Sequence, residues 1–250
     1  MQLLPVQDDD AGIWCSVLHW TAYPHKEDRL YPRHQETHLG DIENLMGNYT
    51  VVVLDFETTG LSPDRGDRAI EIGAVLIRDN HIVDRFQSLM NPAMRISSFI
   101  EEYTGITNAM LADAPPIGKV MKNFAAFMAN HHLVAHNAGF DQRFLDAELL
   151  RICHERRGEF ACSLLLARRI YPAAPRHNLE TLVRYKNLAT DGVHHRALAD
   201  AEMTGQLWIS MINELKSAYR LDNIPFALLQ RLSRVSKKAV PAFLEQFAAS

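Results

Sequence analysis

Apolar residues run almost unbroken through residues 49–56 (YTVVVLDF) and 68–78 (RAIEIGAVLIR), and they alternate with polar ones through 81–89 (HIVDRFQSL). Short runs of this kind, rich in β-branched residues, predict three strands. The Asp79-Asn80 pair between the last two predicts a tight turn, so the three should form an antiparallel meander. After Asn91-Pro92 the period lengthens: residues 117–129 are amphipathic at helical spacing, 132–137 (HLVAHN) read as a short strand, and 139–151 as a helix that follows it directly. Further helices are predicted over 163–170, 178–185 and 197–218. Strand and helix alternate from this point on, which implies an α/β chain with a mixed β-sheet flanked by α-helices.

The two ends differ from this centre. Residues 1–46 carry Pro5, Pro24 and Pro32, a charged stretch at 25–29, and Trp14 and Trp20, with only weak helical periodicity over 13–20; they read as an N-terminal extension ahead of a domain spanning 47–217. In residues 218–250, Leu228, Leu229 and Leu232, then Val240, Phe243, Leu244 and Phe247, recur at near-helical spacing. This predicts a tail of two short amphipathic helices broken near Pro241. Their apolar faces need a cover: the chain's own domain, the N-terminal extension, or another subunit. Packing on the chain itself is the favoured expectation, because neither end shows the long flexible linker that tethering to a polymerase would need.

Composition narrows the function classes. At 250 residues and 47% hydrophobic, the chain can bury a sizeable core and reads as one domain with appendages. Lys+Arg 26 against Asp+Glu 30 gives a net charge of -4, so no global basic field advertises a polyanion, and any such partner must be held locally. The three cysteines, Cys15, Cys153 and Cys162, lack CxxC spacing, which argues against a zinc site or disulfide framework and fits a reducing compartment. The N-terminus turns acidic before an apolar core of signal-peptide length develops, and no later run reaches membrane-spanning length, so the expectation is a cytoplasmic chain with no membrane partner. Oligomeric state has no reading in the sequence.

The first strand ends in chemistry. In the segment VVVLDFETTG, from Val51 to Gly60, Asp55 and Glu57 are two apart and share one face, while Phe56 points into the opposite layer. Two like charges there would repel unless one takes a proton or a hard divalent cation, such as Mg²⁺ or Mn²⁺, lies between them. An isolated D-x-E is equally readable as a solvated strand end entering a turn. A third acid, Asp141, closes the segment VAHNAGFD that begins at Val134 and falls at a strand-to-helix junction, the edge where open sheets place their sites. Then HHRALAD, from His194 to Asp200, sets a histidine five residues before an acid at the opening of a helix. At about 100° per residue, five steps separate side chains by roughly 140°, so His195 belongs to the preceding loop while Asp200 can face the sheet.

Taken in order, the segments DFETTG from Asp55 to Gly60, NAGFD from Asn137 to Asp141 and HRALAD from His195 to Asp200 resemble the DEDDh 3′–5′ exonucleases, the family of the proofreading epsilon subunit of bacterial DNA polymerase III. AIEIG from Ala69 to Gly73, YTGIT from Tyr103 to Thr107 and the LARRIYP run from Leu166 to Pro172 support the resemblance. The similarity spans about residues 49–210. A sister group has tyrosine four residues before the last acid, where this chain has Arg196, so the histidine subtype is indicated. The resemblance implies a ribonuclease H-like fold and phosphodiester hydrolysis with two Mg²⁺ or Mn²⁺ ions roughly 3.5–4 Å apart, releasing nucleoside 5′-monophosphates from 3′ ends of DNA in proofreading or repair. It also implies roles. Asp55 bridges both ions, Glu57 and Asp200 complete the site of the ion that carries the nucleophile, Asp141 holds the second, and His195 takes the proton of the attacking water. An RNA-processing or oligoribonucleotide nuclease would share these residues, and a catalytically silent nucleic-acid-binding module would keep the fold alone. A DNA polymerase is the partner the family suggests.

By the same resemblance Thr58, Asn137 and Phe140 are candidates for substrate contact, with Phe140 also readable as core beside Asp141. Arg168, Arg169, Arg176, Arg184 and Lys186 form a locally basic stretch, readable either as phosphate contacts or as a solvated helix surface. Glu71, an acid inside an apolar strand, is expected to find a hydrogen-bonding partner near the site rather than act directly. His131, His132 and His136 lack ligand spacing and are expected to be structural.

Overall fold

The computed structural model describes residues 50–189 and 196–249. Its five strands are β1 (Val51–Thr58), β2 (Ala69–Arg78), β3 (His81–Leu89), β4 (His132–Ala135) and β5 (Phe160–Cys162). They form one mixed sheet in the order β3-β2-β1-β4-β5. The meander is present: β1 pairs antiparallel with β2 and β2 with β3, through a turn in which Asp79 and Asn80 both take positive φ. β4 and β5 continue from the other edge of β1, parallel to it. The three-residue β5 had no periodic signal of its own and exists because β4 offers it a partner.

The helices are α1 (Ser98–Thr104), α2 (Asn108–Ala112), α3 (Ile117–Met128), α4 (Gly139–Arg151), α5 (Ser163–Ile170), α6 (Leu179–Tyr185), α7 (Ala197–Tyr219), α8 (Phe226–Arg234) and α9 (Val240–Ala248). The short α1 and α2 were not predicted. Their N-caps Ser97 and Thr107 each accept a hydrogen bond from the backbone three residues on, a local signal that the apolar period does not carry.

Alternation along β1 divides the core into two layers. Val52, Leu54 and Phe56 face α3 and α4, packing with Met121, Phe124, Phe144 and Leu145. Val51 and Val53 face the other way, with Val75 and Ile77 of β2, against Leu207, Trp208 and Met211 of α7. Asp55 and Glu57 lie on this second face, so the helix that covers it also reaches the acids. The close approach is enforced by Gly73, where an added Cβ would stand 2.0 Å from the Leu198 backbone nitrogen at the start of α7.

The tail joins this second layer. Phe226, Leu228, Leu229 and Leu232 of α8 and Val240 and Leu244 of α9 are buried in the same core as Trp208 and Leu166. His132 stacks flat on Phe226, ring centroids 4.2 Å apart, and Gln230 Nε2 donates to the Phe160 carbonyl at 2.9 Å. The expected pair of amphipathic helices is thus packed on the sheet, but the break lies at residues 235–239. Pro241 stands in the first turn of α9, where its missing N–H costs nothing. Residues 1–46, including the weak periodicity over 13–20, lie outside the described residues. No helix among the described residues is long and apolar enough to cross a membrane.

Candidate active site

Three of the predicted acids meet where β1 ends under the first turn of α7. Carboxylate oxygens of Asp55, Glu57 and Asp200 all lie within 4.8 Å of one another. Asp141, in the first turn of α4, comes from the opposite layer: its Oδ1 accepts the backbone N–H of Phe56, the residue between Asp55 and Glu57, at 3.1 Å. One oxygen of Asp141 is thereby committed to holding the strand end in place. His195, like His194, lies outside the described residues; the described chain resumes at Arg196, the N-cap of α7.

The electrostatics follow from burial and crowding. Asp55 is held well above the usual carboxylate range by desolvation first, then by the negative charges of Asp141, Asp200, Glu57 and Glu71. Glu57 is raised to about 8 by desolvation and by Asp200, Glu71 and Asp141, against a smaller opposing pull from Arg196. Burial raises Asp141 to about 7, although the N–H of Phe56 and its own backbone N–H favour the anion. Such a cluster is poorly ionised by itself and becomes favourable around a cation. A set of carboxylate oxygens at this spacing suits a hard, oxygen-seeking divalent ion rather than a soft one.

Glu71 finds its partner at a distance of 125 residues. It is fully buried opposite Glu57 in the β1–β2 register, and it receives Arg196 in a fork, Nη2 to Oε1 at 2.8 Å and Nε to Oε2 at 3.2 Å. It also accepts from the Ala197 N–H at 3.2 Å and from Gln87 Nε2 at 3.0 Å. Glu71 and Gly73 therefore clamp the first turn of α7, which carries Asp200, onto β2.

The remaining candidates are placed as follows. Thr58 is buried and its hydroxyl donates to the Gly60 carbonyl at 2.6 Å. The turn after it is tied by Asp67, which accepts from Ser62 N, while Thr59 Oγ1 accepts from Arg68 N. Asn137 is exposed, with φ of 69°. Phe140 is half-buried and tilts against Phe144 with centroids 5.0 Å apart, on the edge of the core. His136 is structural: its Nε2 donates to the His177 carbonyl, Ser163 Oγ lies 2.9 Å from its Nδ1, and burial lowers it to about 4, so it stays neutral. One feature was missed. Phe99 and Tyr103 of α1 stack 6.0 Å apart, 68% and 53% exposed, and Tyr103 feels the charges of Glu57, Asp200 and Asp55. Aromatics at i and i+4 were the available signal.

Comparison with known proteins agrees with this geometry. Residues 52–208 match the exonuclease family of RNase T type. The chain is 39% identical over 176 residues to the DNA polymerase III PolC-type of Bacillus cereus, covering 70% of this chain and 12% of that one. Over 193 residues it is 33% identical to the 3′–5′ exonuclease DinG of Bacillus subtilis, 77% of this chain and 20% of that one. It thus spans a small part of the length of these relatives. Among solved structures, exonuclease X in complex with 5′ overhanging duplex DNA aligns with a TM-score of 0.59 at 29% identity, covering 73% of this chain and 99% of that one. With a mixed five-stranded sheet, Asp55, Glu57 and Asp200 gathered at its edge and Asp141 beside them, the chain belongs to the exonuclease family, in its DEDDh 3′–5′ branch.

Proposed function

We propose that this protein removes nucleoside 5′-monophosphates one at a time from the 3′ end of a DNA strand, using two Mg²⁺ or Mn²⁺ ions. The observation that carries the reading is the convergence of Asp55, Glu57 and Asp200 within 4.8 Å, with Asp141 bonded to the backbone between the first two. When bound, the ions would lower the pKa of the attacking water and offset charge on the leaving 3′ oxygen. Asp55 is assigned to both ions, Glu57 and Asp200 to the one at the nucleophile, and Asp141, through its second oxygen, to the other. His195 is assigned as the base that takes the water's proton, a task for which an ordinary histidine pKa is well placed. It immediately precedes Arg196, whose grip on Glu71 limits where that base can stand.

Substrate contact is assigned to the Thr58 backbone, to Asn137 and, less directly, to Phe140. The exposed Phe99–Tyr103 pair beside the acids offers a face on which bases of the 3′ strand can stack. DNA is favoured as substrate because the exonuclease X structure holds DNA and a PolC-type polymerase is among the relatives. A polymerase partner and a role in proofreading or repair rest on the same relatives. The catalytic domain is assigned to residues 47–217, the tail to 218–250 and an extension to 1–46.

Asp55→Ala tests the assignment: hydrolysis of end-labelled single-stranded DNA in Mg²⁺ or Mn²⁺ should be abolished, and turnover near wild type would sink the site. His195→Ala should cut turnover by about 10² to 10⁴ while leaving metal affinity nearly unchanged. A larger loss in His194→Ala would move the base by one residue. Running DNA, mismatched duplex and RNA side by side reads the sugar preference.

A further inference from the structure

Of the five cations in the basic stretch 168–186, three are occupied. Arg169 donates to the carbonyls of Val235 and Leu165, Arg184 pairs with Glu180, and Lys186 pairs with Glu214 and lies over the Tyr171 ring. Arg168 has no ion-pair or hydrogen-bond partner among the described residues, and it is exposed. It borders an open hollow of about 490 Å³ together with Asn137, His136, His177, Asn178, Leu164 and Leu179, and no acidic side chain among the described residues lines that hollow. In a chain whose acids outnumber its lysines and arginines 30 to 26, a concave surface that holds an exposed guanidinium and, among the described residues, no carboxylate favours an anion.

Position and rigidity say which anion. The sheet order puts β4 next to β1 and β5 beyond it, so Asn137, just past the end of β4, stands between the acid cluster on β1 and Arg168 on α5. The far wall is held by fixed struts: His136 Nε2 donates to the His177 carbonyl at 2.9 Å, and His177 Nε2 donates to the Tyr171 carbonyl at 3.0 Å. A guanidinium presents a planar fork that matches phosphate oxygens, and a wall already in place loses little freedom on binding.

We propose that the Arg168 hollow is a phosphate subsite, which receives a phosphodiester of the same strand upstream of the 3′-terminal nucleotide. The inference rests on the exonuclease reading above and adds to it a point of grip away from the acids. Arg168 supplies the charge, and Asn137 and Asn178 offer amide donors at the rim. The subsite draws the strand across the carboxyl edge of the sheet, so it acts on binding of strands long enough to reach it.

The test uses the full chain and a fluorescent single-stranded DNA of about ten nucleotides. Arg168→Ala should raise KM about five- to tenfold with kcat little changed, and should make the dependence of log kcat/KM on log salt less steep by about 0.7, the value of one phosphate contact on a single strand. Arg168→Lys should recover part of the loss. Arg184→Ala, which removes a charge already paired with Glu180, should match wild type. Equal KM and equal salt slope in Arg168→Ala and wild type would overturn the subsite, as would an equal effect from Arg184→Ala, which would reduce the feature to general surface charge. A thymidine 5′-monophosphate aryl ester has no upstream phosphodiester. Wild-type turnover of that ester in Mn²⁺, abolished by Asp55→Ala, keeps the exonuclease reading standing even if the subsite fails, and its absence marks failure of that reading instead.

Discussion

Burial of the carboxylates, and after it their crowding, makes the site a proton trap until a cation arrives. Glu57 stands at about 8 and Asp141 at about 7 in the folded protein, both above the ordinary carboxylate value of about 4 that they regain on unfolding. The native state therefore holds these protons more tightly than the unfolded chain. The resulting stability is fully present below about pH 4 and is lost as pH rises through about 7 to 8. Metal-free protein should show a melting temperature that falls between about pH 5 and pH 8 in scanning calorimetry, and Glu57→Gln should flatten that fall. Because an ion must displace the same protons, the rise in melting temperature on adding Mn²⁺ should grow over the same window. A metal-free melting curve that improves toward pH 8 would contradict the assignment of these shifts to burial and crowding. The sequence announced Asp55, Glu57, Asp141 and Asp200 through spacing and motif order. It did not show that Asp141 Oδ1 would be spent on the Phe56 N–H, since that bond joins residues 85 apart.

At the scale of elements, β2 and α7 act together. Gly73 admits the backbone of Ala197 and Leu198, and Glu71, two residues away on the same face, grips Arg196 and the Ala197 N–H. Gly73→Ala should push the first turn of α7 off the strand. We expect a cost of about 1–3 kcal/mol in denaturant unfolding, together with a loss of metal affinity as Asp200 leaves the cluster. Glu71→Gln keeps the shape and removes the charge, so it should cost about 1–3 kcal/mol by leaving Arg196 without its counter-charge while the sheet still forms. If Gly73→Ala weakened folding yet left Mn²⁺ binding at the wild-type level, the clamp would have no part in placing Asp200. That Glu71 needed a partner was legible from an acid in an apolar run. Which partner was not, because only the covering of β2 by α7 brings Arg196 there.

Across the whole molecule, the tail is part of the core. Phe226, Leu228, Leu229, Leu232, Val240 and Leu244 are buried against the layer that carries Asp55 and Glu57 on its far end. Each such side chain contributes about 1.5–3 kcal/mol by burial, so deleting residues 222–250 should lower the melting temperature by more than about 10 °C and reduce solubility. The acids sit at the opposite edge of β1 from the tail's contacts, so Mn²⁺ should still raise the melting temperature of the truncated protein. A truncation as stable as the full chain that instead loses association with a polymerase would assign the tail a docking role.

Periodicity and motif order sufficed for the meander, for the long helices and for the four acids, because these depend on local alternation and on which side chains share a strand face. They also sufficed for the amphipathic tail, although not for its break: Pro241 opens α9 because a helix tolerates proline in its first turn. What only the tertiary structure decided were relations between distant segments. β5 is a strand because β4 lies beside it, His132 is a platform for Phe226, and Arg169, Arg184 and Lys186 are spent while Arg168 has no ion-pair or hydrogen-bond partner among the described residues. A charge or a short apolar run has no fixed meaning until its neighbours are known, since pairing and desolvation are set by the groups that packing brings within a few ångströms.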